Sequence, residues 1–175
     1  EDLRAFEEEI EGVDTVIPLT ARQTRARHRK AAADAGLYGT VPGYERAMGW
    51  EVGEGRFLTE RDVRSWSRVC VIGGKTKEDL FGSKEAVGEE IKLGKDRYNV
   101  VGVMKVRTSM GRSLGEQVVV PVTTLQKRLT GVDHYDVIYV YAEEAGDVPK
   151  ITTGLKNVLK RRHRHGGEFR IQTGE

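Results

Sequence analysis

Arg68-Val69-Cys70-Val71-Ile72-Gly73-Gly74-Lys75-Thr76-Lys77-Glu78-Asp79-Leu80-Phe81-Gly82 is the stretch whose reading decides the fold. Four apolar residues in a row after Arg68 make a short buried strand, and Gly73 closes it. Thr76-Lys77-Glu78-Asp79 has capping-box spacing. It predicts a helix anchored by Leu80 and Phe81 and stopped by Gly82. A strand, a Gly-Gly-Lys-Thr turn and a helix also invite a phosphate-binding loop, the mark of a doubly wound nucleotide-binding sheet. Such a loop needs a glycine five residues before Gly-Lys-Thr, so that backbone amides wrap a phosphate. That position is Val69, inside the strand. The stretch therefore predicts a plain strand-to-helix turn with Thr76 as N-cap.

Downstream, residues 87–93 and 97–106 flank the turn Gly94-Lys95-Asp96 and read as a hairpin. Residues 108–115 read as a polar loop, and 117–120 as a strand ended by Pro121. Thr123-Thr124-Leu125-Gln126 is a further capping box, opening a helix to about Leu129. Residues 136–142 form a strand. Asp147 caps the longest helix, with Val148, Ile151, Leu155, Val158 and Leu159 on one face. Gly166-Gly167 ends it, and 169–172 is a last strand.

Upstream, Leu3, Phe6 and Ile10 are spaced for a short helix ended by Gly12. Residues 13–30 form one long extended stretch, apolar at Val16, Ile17 and Leu19. Its second half carries Arg25, Arg27 and Arg29 on one face and Arg22, His28 and Lys30 on the other. Charge on both faces predicts a protruding or edge strand. Residues 31–39 are a weak return strand. Pro42 opens a short helix with Tyr44, Ala47 and Met48 as its buried stripe. Gly53-Glu54-Gly55 is a turn, and Thr59-Glu60-Arg61-Asp62 is another capping box. This mixed order favours an α+β fold in two lobes over a parallel sheet.

The chain has 175 residues, enough for one domain or two small lobes sharing a core. Its 29 basic and 27 acidic residues leave a net charge of only +2, without the excess of a dedicated nucleic-acid binder. The single cysteine, Cys70, forms no internal disulfide and reads as a buried structural thiol. No stretch approaches the ~20 apolar residues of a membrane span. The chain starts without methionine, so it is expected to be part of a longer protein, whose flanking segments can include membrane helices.

His163 and His165 flank Arg164, but a metal wants a third ligand, and neighbouring Lys160, Arg161 and Arg162 oppose a dication. Cations there suit a helix C-terminus. The basic strand with Arg25 and Arg27 suits nucleic acid, anionic lipid, a partner protein or a solvated face. It lacks the interleaved aromatics of a single-strand platform. No nucleophile, metalloprotease or cysteine–histidine signature is present. No catalytic residue, cofactor site or metal site is assigned.

A set of motifs recurs in order along the chain. Gly55-Arg56-Phe57-Leu58-Thr59 is followed by Val69-Cys70-Val71-Ile72-Gly73, Leu80-Phe81-Gly82, Val87-Gly88 with Ile91, and Tyr98-Asn99-Val100-Val101-Gly102-Val103. Val120-Pro121, and Arg162-His163 before Phe169, complete it, with Val41-Pro42-Gly43-Tyr44 upstream. In this order the chain resembles the MacB-like periplasmic core domain of ABC transporter permeases. The resemblance runs from about Gly12 to Thr173. Ala86 stands where the family pattern has proline, and Glu89 where lysine is common.

The resemblance implies a two-lobed extracytoplasmic domain. Residues 1–57 and 131–175 would form a basal, membrane-proximal lobe of βαβ type, and 58–130 an inserted, mixed distal lobe. It implies no enzyme activity here, with ATP hydrolysed by a separate cytoplasmic domain or subunit reached through membrane helices. A homodimer, a periplasmic adaptor and an inner-membrane location with this domain on the periplasmic side follow. The function implied is to couple ATP hydrolysis to export or extraction, or to partner binding, through conformational change. Met110 and Arg112 in the 108–115 loop, with Arg25 and Arg27, are the candidate partner contacts. The alternatives are a free-standing peptide-, lipid- or adaptor-binding module, a nucleic-acid binder, and a hydrolase with a site assembled in space.

Overall fold

Strand β1 (Val13–His28) spends its first half in one structural unit and its second half in another. The units are Glu1–Leu19 with Tyr135–Glu175, and Thr20–His134. Residues 20–57, expected with the chain ends, therefore group with the second unit. The computed structural model describes residues 13–106, 108–109, 112–131, 135–142, 149 and 169–173. The expected helices around Leu3 and from Asp147, the histidine pair His163 and His165, and Met110 lie outside the described residues.

The first unit contains a three-stranded arrangement. Strand β10 (Val137–Ala142) lies between the first half of β1, antiparallel, and β11 (Phe169–Thr173), parallel. Val16, Ile17 and Leu19 are buried with Tyr139, Val140 and Tyr141.

The second unit adds β2 (Ala31–Thr40), β3 (Val52–Gly55), β4 (Val69–Ile72), β5 (Glu90–Leu93), β6 (Asp96–Met104) and β9 (Gln117–Pro121). Between β6 and β9 lie β7 (Thr108–Ser109) and β8 (Arg112–Ser113), a small hairpin where a loop is expected. The second half of β1 pairs antiparallel with β2, β2 parallel with β9, β9 antiparallel with β4, β4 parallel with β6, and β6 antiparallel with β5. Strand β5 then meets β1 again through one bridge, Arg27 opposite Lys92. Six strands thus close into a mixed, barrel-like sheet.

Alternate positions fill its interior, as a closed sheet requires. Ala33, Ala35 and Leu37 enter from β2, Cys70 and Ile72 from β4, Ile91 and Leu93 from β5, Tyr98 and Val100 from β6, and Val118 and Val120 from β9. Each fully buried Val, Leu or Ile contributes about 1.5–3 kcal/mol.

The helices are short: α1 (Tyr44–Ala47), α2 (Glu60–Arg64), α3 (Gly74–Phe81) and α4 (Val122–Thr124), the last continuing as a π-helical turn, Leu125–Thr130. At α2 the expected capping box forms. The Thr59 hydroxyl accepts from the Asp62 amide, and the Asp62 carboxylate accepts from the Thr59 amide. The other two are corrected. Helix α3 starts with Gly73 as N-cap, and the Thr76 hydroxyl reaches across to donate to the Gly115 carbonyl instead. Helix α4 starts after Pro121, and the Thr123 and Thr124 hydroxyls donate to the carbonyls of Val63 and Ser67. Both helices begin earlier than capping-box spacing suggests, because tertiary acceptors claim the threonines. Pro42 also precedes α1, whose N-cap is the left-handed Gly43; only Tyr44 of the expected stripe is buried.

The stretch Gly53-Glu54-Gly55, expected as a turn, is most of β3. Gly55 takes φ +71°, and a Cβ there would run into the Val101 carbonyl, while one on Gly102 would run into the Arg56 carbonyl. Two bare backbones cross at van der Waals distance, and the Arg56 amide donates to Val101 at 2.9 Å.

Candidate functional site

The outer face of the second unit carries an arrangement that cross-strand register produces. Arg27 of β1 lies opposite Lys92 of β5, and Lys92 lies opposite Arg97 of β6. Directly opposed residues share a face of the sheet. With strands about 4.8 Å apart, three exposed cations stand in a row about 10 Å long. Glu90 approaches Arg97 at 3.8 Å. Arg27 and Lys92 have no carboxylate partner among the described residues. Arg25, one pleat along, pairs with its cross-strand neighbour Asp34 at 3.0 Å.

The opposite face of β1 is less charged than its sequence suggests. Ala26 is fully buried, and His28 lies over Phe81 with ring centroids 4.2 Å apart. Its Nδ1 is 3.0 Å from the Glu90 carbonyl. The strand is not the protruding or edge strand expected: it pairs with β2 along Thr20–His28 and meets β5 at Arg27, which closes the barrel, and its inner face carries the buried Ala26. The two-residue turn that follows holds Arg29 at φ 53°.

Three clefts border this hairpin, one of them, of about 700 Å³, lined by Arg27, His28, Arg29, Glu90, Lys92 and Arg97 among others. A second, of about 690 Å³, is lined by His28, Lys30, Phe81, Lys84, Glu85 and Glu89 among others. The third, of about 530 Å³, is lined by Gln23, Thr24, Arg25, Arg27, Lys92 and Gly94.

Of the residues singled out in the sequence, Arg25 and Arg27 share this outer face. Arg112 sits in β8, opposite Ser109. That hairpin leads into the 3₁₀ turn Leu114–Glu116 at the start of α3, where Thr76 bonds Gly115, while His28 packs on Phe81 at the end of α3. The structure does not bring these positions together. Lys92 and Arg97 were not singled out, although the Gly94 turn already puts them opposite each other. What the sequence conceals is the non-local contact that adds Arg27 to the row.

Other polar chemistry is accounted for structurally. Burial opposes ionisation of Asp62, but bonds from the Arg56 guanidinium and from the Thr59 amide and hydroxyl outweigh it and hold the carboxyl below its ordinary value. Burial pushes the Cys70 thiol far up, so it stays protonated. At the rejected phosphate loop, Gly73 alone separates β4 from α3. Its amide donates to the Gln117 carbonyl, and Val106 and the Met104 carbonyl crowd Gly74. Among the described residues no group of three His, Cys, Asp or Glu is placed to hold a metal, and no helix is long and apolar enough to cross a membrane.

Comparison with known proteins gives this fold a family. Residues 1–158 match the model of the MacB-like periplasmic core domain. The chain belongs to that family. As a MacB-like periplasmic core domain, it is 27% identical over 165 residues to the macrolide export ATP-binding/permease protein MacB of Bdellovibrio bacteriovorus, covering 94% of this chain and 25% of that protein. It is 30% identical over 167 residues to the protein of the same name from Vibrio parahaemolyticus, covering 95% and 26%. The chain thus spans about a quarter of these relatives, which are named as fused ATP-binding and permease proteins. Among solved structures, the extracellular domain of the noncanonic ABC-type transporter YknZ from Gram-positive bacteria superposes with a TM-score of 0.79 at 24% identity, over 91% of this chain and 81% of that one. The periplasmic region of MacB from Actinobacillus actinomycetemcomitans gives 0.79 at 20% identity, over 93% and 72%. The pair Gly55-Arg56 has a physical role here: it makes the bare crossing over Gly102, and Arg56 neutralises Asp62.

Proposed function

We propose that this domain is the extracytoplasmic part of an ABC transporter permease held in the inner membrane by helices outside the chain, and that it works by transmitting shape change. It catalyses nothing itself. ATP is hydrolysed by a cytoplasmic domain or subunit, and two copies of the domain move against each other, or against a periplasmic adaptor, to drive efflux of macrolide-like or related cargo. In this reading the unit carrying both chain ends is the membrane-proximal lobe. Arg25, Arg27, Met110 and Arg112 are the partner contacts. The observation that carries the reading is the family match over residues 1–158, together with relatives named as ATP-binding/permease proteins.

The test uses the full-length protein. Removing this domain leaves ATP hydrolysis measurable and abolishes macrolide efflux from cells, and the isolated chain hydrolyses no ATP. Efflux that survives removal of the domain, or ATP turnover by the isolated chain, sinks the reading.

A further inference from the structure

The backbone of β1 has an open edge beside the row of cations. His28 opposite Ala31 closes a two-residue turn and is a hydrogen-bonded pair. Such pairs alternate along an antiparallel ladder. Arg22, Thr24, Ala26 and His28 therefore turn their backbone groups to β2, while Gln23, Arg25 and Arg27 turn theirs the other way. Arg27 meets Lys92 of β5. Strand β5 ends at Leu93 and the chain turns off at Gly94, so it does not reach Arg25. At Ala21 the carbonyl accepts from the Arg22 guanidinium. Among the described residues, Gln23 and Arg25 are left with two N–H and two C=O groups pointing out of the sheet with no strand on them.

We propose that this edge takes an added β-strand: an extended segment of a partner protein bearing carboxylates at alternate positions. Two of its residues, antiparallel to Gln23 and Arg25, complete the ladder with four backbone bonds, the mode in which strand addition supplies affinity. The groove of about 530 Å³ bordered by Gln23, Arg25, Arg27 and Lys92 runs along the same edge. Outward side chains of the added strand come opposite Arg25 and diagonal to Arg27, within reach of long side chains. Arg27 and Lys92 face each other with no carboxylate partner among the described residues, so the incoming segment supplies the counter-charge. A second copy of this edge is a poor occupant, because two-fold pairing sets arginines against arginines.

The inference takes Arg25 and Arg27 as partner contacts from the reading above and names the chemistry of what they meet. The probe is a nine-residue peptide of alternating valine and glutamate, added to the 175-residue chain, with amide hydrogen exchange read by NMR. The expected result is at least tenfold slower exchange of the Gln23 and Arg25 amides at saturation. A peptide with N-methylated glutamates, which keeps the charge but removes the N–H donors facing β1, should bind at least tenfold more weakly. Gln23→Pro should do the same from the protein side. Its amide faces away from β2, so proline leaves the β1–β2 bonds in place and a thermal melt verifies folding. Unchanged exchange with the valine–glutamate peptide, or equal binding of the N-methylated peptide, overturns the proposal. So does protection of the Arg25 amide by phosphatidylglycerol vesicles that Gln23→Pro does not alter, which would make this a charged lipid surface. If charge reversal at Arg25 and Arg27 leaves efflux by the full-length protein intact while the peptide still protects the edge, the partner-contact reading fails and the strand-addition site stands.

Discussion

Strand β6 is joined to β3 at the bare crossing of Gly55 and Gly102, and the barrel is joined to itself at the bridge of Arg27 and Lys92. At the crossing every level agrees. The glycines permit the approach, the Arg56 amide bonds Val101, and the Arg56 side chain satisfies the buried Asp62, which also caps α2. At the bridge the usual rules are broken. Like charges face each other, one bridge closes the sheet, and Arg29 next to it holds a backbone conformation suited to glycine. Natural chains keep such local conflicts where function needs them. The contrast assigns the crossing to fold maintenance and leaves the bridge as the place where the recognition proposed above would act.

That division can be broken or sharpened by substitution. The largest effect is expected for Gly102→Ala, which drives a methyl group into the Arg56 carbonyl. Overpacking against backbone should cost about 3 kcal/mol in urea unfolding. A loss under 1 kcal/mol would show that the crossing yields easily. Asp62→Ala should cost roughly 2 kcal/mol, from the lost cap and the unpaired Arg56. The same carboxylate predicts a pH dependence. Its folded pKa lies below the ordinary 3.8, so its stabilisation is present above that value and is lost as pH falls through the folded pKa. Asp62→Asn should flatten the acid limb of the stability curve, and an unchanged limb would point to other carboxylates.

Lys92→Glu should act in the opposite direction, placing a carboxylate between Arg27 and Arg97. A gain of about 1 kcal/mol that disappears in molar salt is expected. A loss would mean that the row is not a site of repulsion. The smallest change is Arg29→Gly, where relief of the positive φ outweighs the looser unfolded chain by about 0.5 kcal/mol.

Much of the crossing was legible from residue types. The run 69–72 reads as a strand because it is continuously apolar, and the Thr59–Asp62 box reads as a cap because its spacing is local. Gly53 to Gly55 misled because glycine marks both turns and close backbone crossings, and only β6 distinguishes them. Thr76, Thr123 and Thr124 misled for a related reason: their hydroxyls bond carbonyls 39, 60 and 57 residues away. At the bridge, Arg25 and Arg27 are visible as charges on a long extended stretch, although the strand they lie on is closed into the barrel and is not the expected edge. The row was only half visible, since Lys92 and Arg97 oppose each other across a predictable turn, whereas Arg27 joins them through barrel closure. His28 looked like surface charge, and its place over Phe81 depends on where α3 ends.

Cys70 has a practical consequence. It is the one sulfhydryl of the chain, wholly enclosed by the barrel and held protonated, so thiol-directed reagents find nothing to react with in the folded domain. A cysteine introduced on the outer face, at Gln23 or Lys92, is then the unique attachment point for a spin label or fluorophore, without removal of the native residue. The natural sequence is thereby a background for measuring distances within this domain, and the enclosed sulfur doubles as an indicator, because it becomes reactive only when the barrel opens.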